Sequence, residues 1–257
     1  MHSLLTVLCG SIVGFSLGLI GGGGSILAVP LLLYVVGVSD PHVAIGTSAF
    51  AVGINAIVNL VGHWRHGNVK WPCAAVFAAA GVLGAAAGST AGKMVDGTKL
   101  LVLFAVVMIA VGVAMLRPRA SGGDPSVTIN PKIALRLLGV GSLTGAISGF
   151  FGIGGGFLIV PGIMLGSGMP ILNAVGSSLL SVGVFGLTTA ANYALSDLID
   201  WRIAMTFIGG GVFGGLAGIG IASRFAANRR VLTSTFAIVV FLVAAYMLAR
   251  TIFNLQS

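Results

Sequence analysis

The sequence predicts an all-α integral membrane protein built from two tandem helical repeats. Hydrophobic residues make up 57% of its 257 residues and charged residues 7%, against about 25% charged residues in soluble domains. The apolar residues fall into runs, and most runs reach the length of about 20 residues that a helix needs to cross a bilayer. In addition, the two halves of the chain align with each other. Too few charges remain to cover a water-facing surface, so the bilayer is the predicted solvent.

Ten apolar stretches are arranged as five on each side of a polar linker. They cover approximately residues 3–20, 25–37, 43–62, 72–92, 98–116, 133–151, 157–168, 172–195, 203–222 and 231–249. The linker is rich in Pro, Gly and Asp, which are typical of loops. We therefore predict a first membrane repeat over residues 1–117, a cytoplasmic linker over 118–132 and a second membrane repeat over 133–257.

The two repeats share residues at a nearly constant offset. Gly10–Pro30 aligns with Gly141–Pro161, and ten of these 21 positions are identical. One residue is then lost, after which Gly46-Thr47-Ser48 aligns with Gly176-Ser177-Ser178, and Val69-Lys70-Trp71 aligns with Ile199-Asp200-Trp201. Composition bias does not explain Pro, Trp and Ser in one register, so the alignment indicates an internal duplication.

The second and seventh stretches are too short to cross the bilayer, and each follows a glycine cluster. If they are return legs of re-entrant hairpins, each repeat crosses an odd number of times, the repeats are inverted, and about eight to ten transmembrane segments result. One face then holds nine Lys and Arg residues and the other four, which places the linker in the cytoplasm by the positive-inside rule. A single broken crossing over residues 3–37 would make the repeats parallel, but it would be about 50 Å long. We favour the inverted arrangement.

The glycine clusters at residues 21–24 and 152–156 are the predicted substrate site. Consecutive glycines interrupt a helix, and the N–H groups of the helix that restarts suit an anion. Paired interrupted helices are the best sequence pointer to the substrate site of a transporter. The alternative is close helix packing, which fits the spaced glycines at 81, 84, 88, 211, 214 and 218 better than consecutive ones. The predicted substrate-binding residues here are Gly22, Gly23, Gly24, Ser25, Gly154, Gly155 and Gly156.

Hydroxyl and amide side chains on the third and eighth stretches are further candidates for binding the substrate. Neutral donors of this kind replace part of the hydration shell of an oxyanion without adding a permanent charge. Hydrogen bonding between helices is an equally good explanation, and it contributes about 0.6–2 kcal/mol per contact. The candidates are Thr47, Ser48, Asn55 and Asn59 in the first repeat and Ser177, Ser178, Thr189 and Asn192 in the second.

A basic, aromatic segment ends the third stretch, in the order His63-Trp64-Arg65-His66. His63 and Arg65 would form a vestibule that attracts anions, with a histidine that titrates near neutral pH. The alternative, which we prefer, is an interfacial anchor in which Trp64 and Trp71 belong to an aromatic belt.

The acidic residues exclude several functions by their positions. All five are Asp, and they fall at the ends of stretches or in loops: Asp40, Asp96, Asp124, Asp197 and Asp200. Cation sites and carboxylate proton relays usually need an acid within the membrane, so an anionic or neutral substrate is favoured. The absence of an intramembrane Asp pair or of a zinc motif argues against an intramembrane protease. We expect no enzymatic activity, no cofactor and no metal. The basic residues between apolar runs act as topology signals, and we expect no nucleic-acid partner.

The glycine motifs together with these segments resemble the sulfite exporter TauE/SafE family over nearly the whole chain. The matching residues are Gly-Leu-Ile-Gly-Gly-Gly-Gly-Ser before Pro30, Gly-Phe-Phe-Gly-Ile-Gly-Gly-Gly before Pro161, Gly46-Thr47-Ser48, Gly176-Ser177-Ser178 and the segment from His63 to Trp71. The resemblance implies a permease for sulfur-containing anions such as sulfite and organosulfonates. The chain departs from the pattern at Lys70, where the family usually has Asp; the second repeat keeps an acid at Asp200.

The combined prediction is a secondary transporter of the cell inner membrane. It would move a small anion, sulfite or an organosulfonate, by alternating access between the two repeats, with each glycine break supplying part of one site. Its expected partners are the anionic substrate and the lipid bilayer. A homo-oligomer is a further possibility that the sequence does not decide. The alternatives are an anion channel on the same scaffold and a non-transporting assembly or sensor subunit.

Overall fold

A computed structural model describes residues 2–116, 124, 127–152, 156–222 and 229–256 of the chain. Every regular element in these ranges is a helix, which confirms the all-α class. The first repeat contains α1 (His2–Ile20), a 3₁₀ helix (Gly21–Leu27), α2 (Ala28–Leu31), a π-helical turn (Leu32–Val36), α3 (Pro41–Arg65), α4 (Trp71–Lys93) and α5 (Gly97–Leu116). The second contains α6 (Pro131–Phe151), α7 (Gly156–Ser167), α8 (Ile171–Ala194), α9 (Trp201–Ala222) and α10 (Arg229–Gln256).

Six helical segments within the described ranges are long and apolar enough to cross a membrane. They are Ser3–Val36, Pro41–Arg65, Trp71–Lys93, Pro131–Phe151, Ile171–Ala194 and Trp201–Ile221. Shorter apolar helices cover Gly97–Val113, Leu158–Ser167 and Ala237–Arg250. The chain is therefore a multi-pass membrane protein, and each predicted apolar stretch overlaps one of these helical segments.

The acidic residues at helix starts act as N-terminal caps. Asp40 Oδ1 accepts hydrogen bonds from the backbone N–H groups of His42 (2.7 Å) and Val43 (3.4 Å), and Pro41 occupies the first turn of α3. Asp96 Oδ1 accepts from Thr98 and Lys99 at the start of α5. A side-chain acceptor at this position satisfies N–H groups that lack an intrahelical partner. These carboxylates therefore stabilise helix ends, outside the apolar interior.

Close contacts between glycine-rich helices join the two repeats. On one side α1 packs on α9, with Gly10 at Phe207, Gly14 at Gly211 and Gly18 at Gly215. On the other side α6 packs on α4, with Gly141 at Phe77, Gly145 at Gly81 and Gly149 at Ala85. The second set is the first set shifted by the repeat offsets. In both sets the residue numbers rise together, so the paired helices run in the same direction. A Cβ atom at any of the named glycines of α1 and α6 would overlap the backbone of the facing helix.

The segment after each glycine cluster folds back along the helix before it. Gly162 lies against Val140 and Thr144, and Gly166 lies against Leu137, so α7 runs antiparallel to α6. In the first repeat, Gly24 lies against Ser16 and Leu17 of α1. The backbone N–H of Asp124 in the linker also donates to Gly168 O after α7 (3.1 Å). These contacts favour re-entrant hairpins over single broken crossings. The inverted relation of the repeats stays a prediction.

Candidate functional site

The two glycine breaks meet in the interior of the molecule. All residues of the 3₁₀ helix are buried, and a Cβ atom at Gly22 would overlap Gly156 Cα. Gly21 and Gly152 occupy equivalent places in the repeats and both have left-handed backbone, with φ of 71° and 64°, which glycine adopts at low cost. The predicted site residues Gly154 and Gly155 lie outside the described residues. Among the others, the structure brings the first break and Gly156 into direct backbone contact.

Ser48 and Ser178, which are equivalent in the repeats, each lie beside the glycine break of the opposite repeat. The Gly22 N–H lies 3.4 Å from Ser178 Oγ, and the Ser48 hydroxyl lies 3.5 Å from Gly152 O. Each hydroxyl also donates to a carbonyl of its own helix, Ser178 to Val175 and Ser48 to Ile45. Ser25 is fully buried and donates to Gly22 O at 2.8 Å. Small polar groups therefore surround both breaks.

Thr47 and Ser177, also equivalent, hold loops of the opposite repeat. Thr47 Oγ1 accepts a hydrogen bond from the backbone N–H of Asp200, and Ser177 Oγ accepts one from Lys70, both at 2.9 Å. Asp200 and Lys70 immediately precede α9 and α4. These two hydroxyls thus make the contacts between helices that we weighed against substrate binding, and they fix the loops that begin two of the packed helices.

The charge reversal at Lys70 changes the start of α4. The side chain of Asp200 accepts a hydrogen bond from the Ile203 N–H at 3.0 Å and caps α9, whereas Lys70 makes no side-chain cap on α4. We expect Lys70→Asp to raise the free energy of unfolding by about 0.5–2 kcal/mol, the usual effect of an N-terminal cap. Thermal unfolding of the detergent-solubilised protein measures this. Asp200→Ala is the matched change and should have the opposite sign; equal melting temperatures for all three proteins would contradict the capping assignment.

Three predicted site residues, together with Ser181, are buried polar side chains with unsatisfied atoms. Asn55, Asn59, Ser181 and Thr189 have no solvent exposure. Among the described residues, no hydrogen-bond partner reaches Asn55 Nδ2 or Oδ1, Asn59 Oδ1, Ser181 Oγ or Thr189 Oγ1. Ser181 lies on α8 with Thr189 and was not a predicted site residue. Because an unpaired buried polar group costs free energy, these atoms are candidates to bind water or a polar ligand.

Asn192 belongs to a different polar group, between α4 and α8. Its Nδ2 donates to Ser89 Oγ (2.6 Å) and Thr90 Oγ1 (2.9 Å), and its Oδ1 accepts from Lys93 Nζ (2.8 Å). Lys93 also donates to Ser196 Oγ and lies 5.8 Å from the centre of the Tyr193 ring. The amide of Asn192 is therefore engaged in a contact between helices. Lys93 was not a predicted site residue, because the sequence shows only a basic residue at a helix end.

His63 and Arg65 do not form one exposed basic patch. His63 is 3% exposed, and its Nε2 lies 3.0 Å from Gly18 O near the end of α1. Arg65 is exposed, as are Trp64 and Trp71, whose rings meet edge to face with centres 5.9 Å apart. The exposed tryptophans fit the interfacial anchor, whereas His63 belongs to the interior.

The buried polar set is uncharged apart from histidine. Among the described side chains, the buried polar residues are Ser, Thr, Asn and His63, and none is Asp, Lys or Arg. A site of this composition offers hydroxyl, amide and backbone N–H donors. Such donors can bind an oxyanion, and no described carboxylate is buried with them to repel it.

Comparisons with known proteins agree with this description. Residues 6–247 match the family TauE, described as "Sulfite exporter TauE/SafE". A "Probable membrane transporter protein" of Xylella fastidiosa is 52% identical over 96% of this chain and 95% of its own length. A similarly named protein of Methanocaldococcus jannaschii is 33% identical over 79% of this chain and 73% of its own, and one of Bacillus subtilis is 26% identical over 99% and 100%. No solved structure matches.

Proposed function

This chain belongs to the sulfite exporter TauE/SafE family of membrane transporters, and on that premise we propose that it carries a small anion, sulfite or an organosulfonate, across the cell inner membrane. The observation that carries the proposal is the contact between the two glycine breaks. Two interrupted helices present backbone N–H groups where a helix restarts, and such ends bind anions. Neutral hydroxyls of Ser25, Ser48 and Ser178 surround them.

The charges of the interior support the proposed substrate class. No described Asp, Lys or Arg side chain is buried, so the anion would be held by neutral dipoles. An ion held in this way is not trapped by a permanent opposite charge, which suits a carrier that must release it on the other side. A sulfonate or sulfite group presents several acceptor oxygens and can bind N–H and O–H donors from both breaks together.

Alternating access would come from movement of one repeat against the other. The breaks touch through Gly22 and Gly156, which belong to different repeats, so relative movement of the repeats would open the contact towards one side at a time. In this proposal the repeats are inverted and the linker is cytoplasmic. Cysteines introduced into residues 118–132 should then not be labelled by an impermeant thiol reagent added to intact cells. Labelling of these cysteines would mean that the linker lies outside the cell and that the proposed orientation is wrong.

Uptake into liposomes tests the proposed function. Purified protein should give saturable uptake of sulfite and methanesulfonate, with counterflow, and no comparable uptake of acetate or chloride. Flux at channel rates without counterflow would indicate an anion channel and not a carrier. If folded protein transports none of these anions, the remaining explanations are a non-transporting subunit or a substrate that is not a sulfur-containing anion.

A further inference from the structure

The same face of the central helix carries two amides and a histidine in one repeat, and two aromatic rings and a threonine in the other. In α3 the residues Asn55, Asn59 and His63 follow at intervals of four, and the equivalent residues of α8 are Phe185, Thr189 and Tyr193. All six are buried. Asn55 packs on Gly211 and Asn59 on Gly215 at the contact of α1 with α9, just as Phe185 packs on Gly81 beside the contact of α4 with α6. An aromatic ring at Phe185 fills the place that an amide fills at Asn55, so packing alone does not require the two amides and the histidine of α3.

His63 holds α1 at the point where the helix breaks. Its Nε2 lies 3.0 Å from Gly18 O, two residues before the end of α1. In a continued α-helix the Gly22 N–H would bond to Gly18 O, but here it donates to Ser178 Oγ. Side chains from α3 and α8 thus support the two sides of the break. Because a carbonyl oxygen only accepts, Nε2 carries a hydrogen, and Nδ1 is the nitrogen that takes up a proton.

We propose that His63 is the proton-binding site of a proton-coupled carrier and that the proton moves together with the anion; this inference rests on the proposed function. His63 is the only described buried side chain of a type whose charge ordinarily changes between about pH 5 and 8. The carbonyl end of a helix carries partial negative charge, so a protonated ring holds α1 more strongly than a neutral one. Protonation would thereby change the stability of the glycine break that forms half of the anion site.

Electrostatics gives the direction of coupling. An anion among the neutral groups of the interior attracts a positive charge strongly, since the surroundings screen it weakly. The anion and the proton on His63 would therefore load together and leave together. Nδ1 takes one proton from water on one side and returns it on the other, and no bond to the anion forms. The amides of Asn55 and Asn59, with their unsatisfied atoms, are suited to hold water beside this ring.

Few other charges can produce the same pH dependence at this place. Among the described residues, the charged and titratable groups near His63 are Arg65 at the end of α3, His66 directly after it and Lys70 immediately before α4. Of the helices packed against this end of α3, α1 has His2 and Cys9 and α9 has Arg202, all in the halves of these helices remote from Gly18 and Gly215. His66, the residue that follows α3, is exposed, and its Nδ1 lies 2.8 Å from Gly62 O. It is therefore a matched control at the end of the same helix.

The test is pH-driven accumulation in liposomes with the membrane potential clamped at zero. Methanesulfonate keeps its charge across this pH range, so its uptake reports protonation of the protein, and sulfite is measured beside it. We expect wild-type protein to accumulate the anion when the outside is acidic and to lose this with a protonophore. His63→Gln keeps a donor for Gly18 O but does not titrate. This variant should no longer accumulate the anion in response to the pH gradient. Its counterflow, which needs no net proton movement, should fall less. His66→Gln should behave as wild type.

The outcomes separate the two proposals. If wild-type uptake does not depend on the pH gradient, the proposed function stands and the proton coupling is contradicted. If accumulation and counterflow fall in parallel in His63→Gln, His63 has a purely structural role. If His63→Gln folds poorly, the same comparison is made with His63→Tyr, which has the residue found at the equivalent place in the second repeat. Folded wild-type protein that moves neither anion would remove the proposed function, and the coupling with it.

Discussion

Replacing Gly22 by alanine is expected to reduce transport by about 5- to 150-fold, whereas the same change at the adjacent Gly23 should have little effect. A Cβ atom at Gly22 would overlap Gly156 Cα and lie 2.7 Å from Val182 Cγ2. Overpacking of this kind costs about 1–3 kcal/mol, which corresponds to that range when it acts on the equilibrium between carrier states. At Gly23 the nearest atom to the added carbon would be Ile20 Cγ2, at 3.3 Å.

The pair of variants isolates the contact between the two breaks. Both glycines belong to the same 3₁₀ turn, so an added methyl group changes the backbone preference of each in a similar way. Among the described residues, the methyl at Gly22 meets the other repeat and the methyl at Gly23 meets only Ile20. The uptake rate per folded protein, with the folded fraction measured by size-exclusion chromatography, decides the matter. Equal rates for Gly22→Ala and wild type, or equal losses in both variants, would contradict a site built on this contact.

Much of the fold could be predicted from local sequence signals. Glycine clusters, proline near helix starts and the spacing of apolar runs place each helical segment to within a few residues. Asp40, Asp96 and Asp200 were expected at helix ends because charges are costly within the membrane, and the structure adds that they cap helices. The internal repeat also predicts that the two glycine breaks have equivalent surroundings, as Gly21 and Gly152 do in their backbone conformation.

The partners of each helix could not be predicted in the same way. Nothing local in α1 indicates that it packs on α9 of the other repeat, because the glycines on both helices permit many close pairings. For the same reason the sequence does not separate Gly22, which touches Gly156, from Gly23, where an added methyl group would meet the end of the Ile20 side chain at 3.3 Å. Asn192 shares a helix and a residue type with plausible ligands, but Lys93 and Ser89 from α4 engage its amide.

The contact of α1 with α9 leads to the second large expected effect, on stability rather than transport. Gly214→Ala should lower the free energy of unfolding by about 1–3 kcal/mol or more, because the new Cβ atom would overlap the backbone of Ser11. The two helices would have to move apart along a face where backbone meets backbone. The equivalent Gly84 meets Ser142 in the same way in the contact of α4 with α6, so Gly84→Ala should have a similar cost.

Gly209→Ala supplies the control on the same helix. Gly209 is exposed, and a Cβ atom there would meet no described residue within 4 Å. This change should therefore be neutral or stabilising, by up to about 1 kcal/mol from helix propensity. Thermal unfolding in one detergent compares the three variants with wild type. A melting temperature of Gly214→Ala equal to that of Gly209→Ala would mean that the helices can separate without cost. The close glycine contacts would then not hold the repeats together, and another surface would have to do so.

If Gly214→Ala and Gly84→Ala are both destabilised, the two repeats are joined by equivalent contacts of similar strength. A carrier whose halves exchange access between two sides requires such a balance, since a large difference would favour one state.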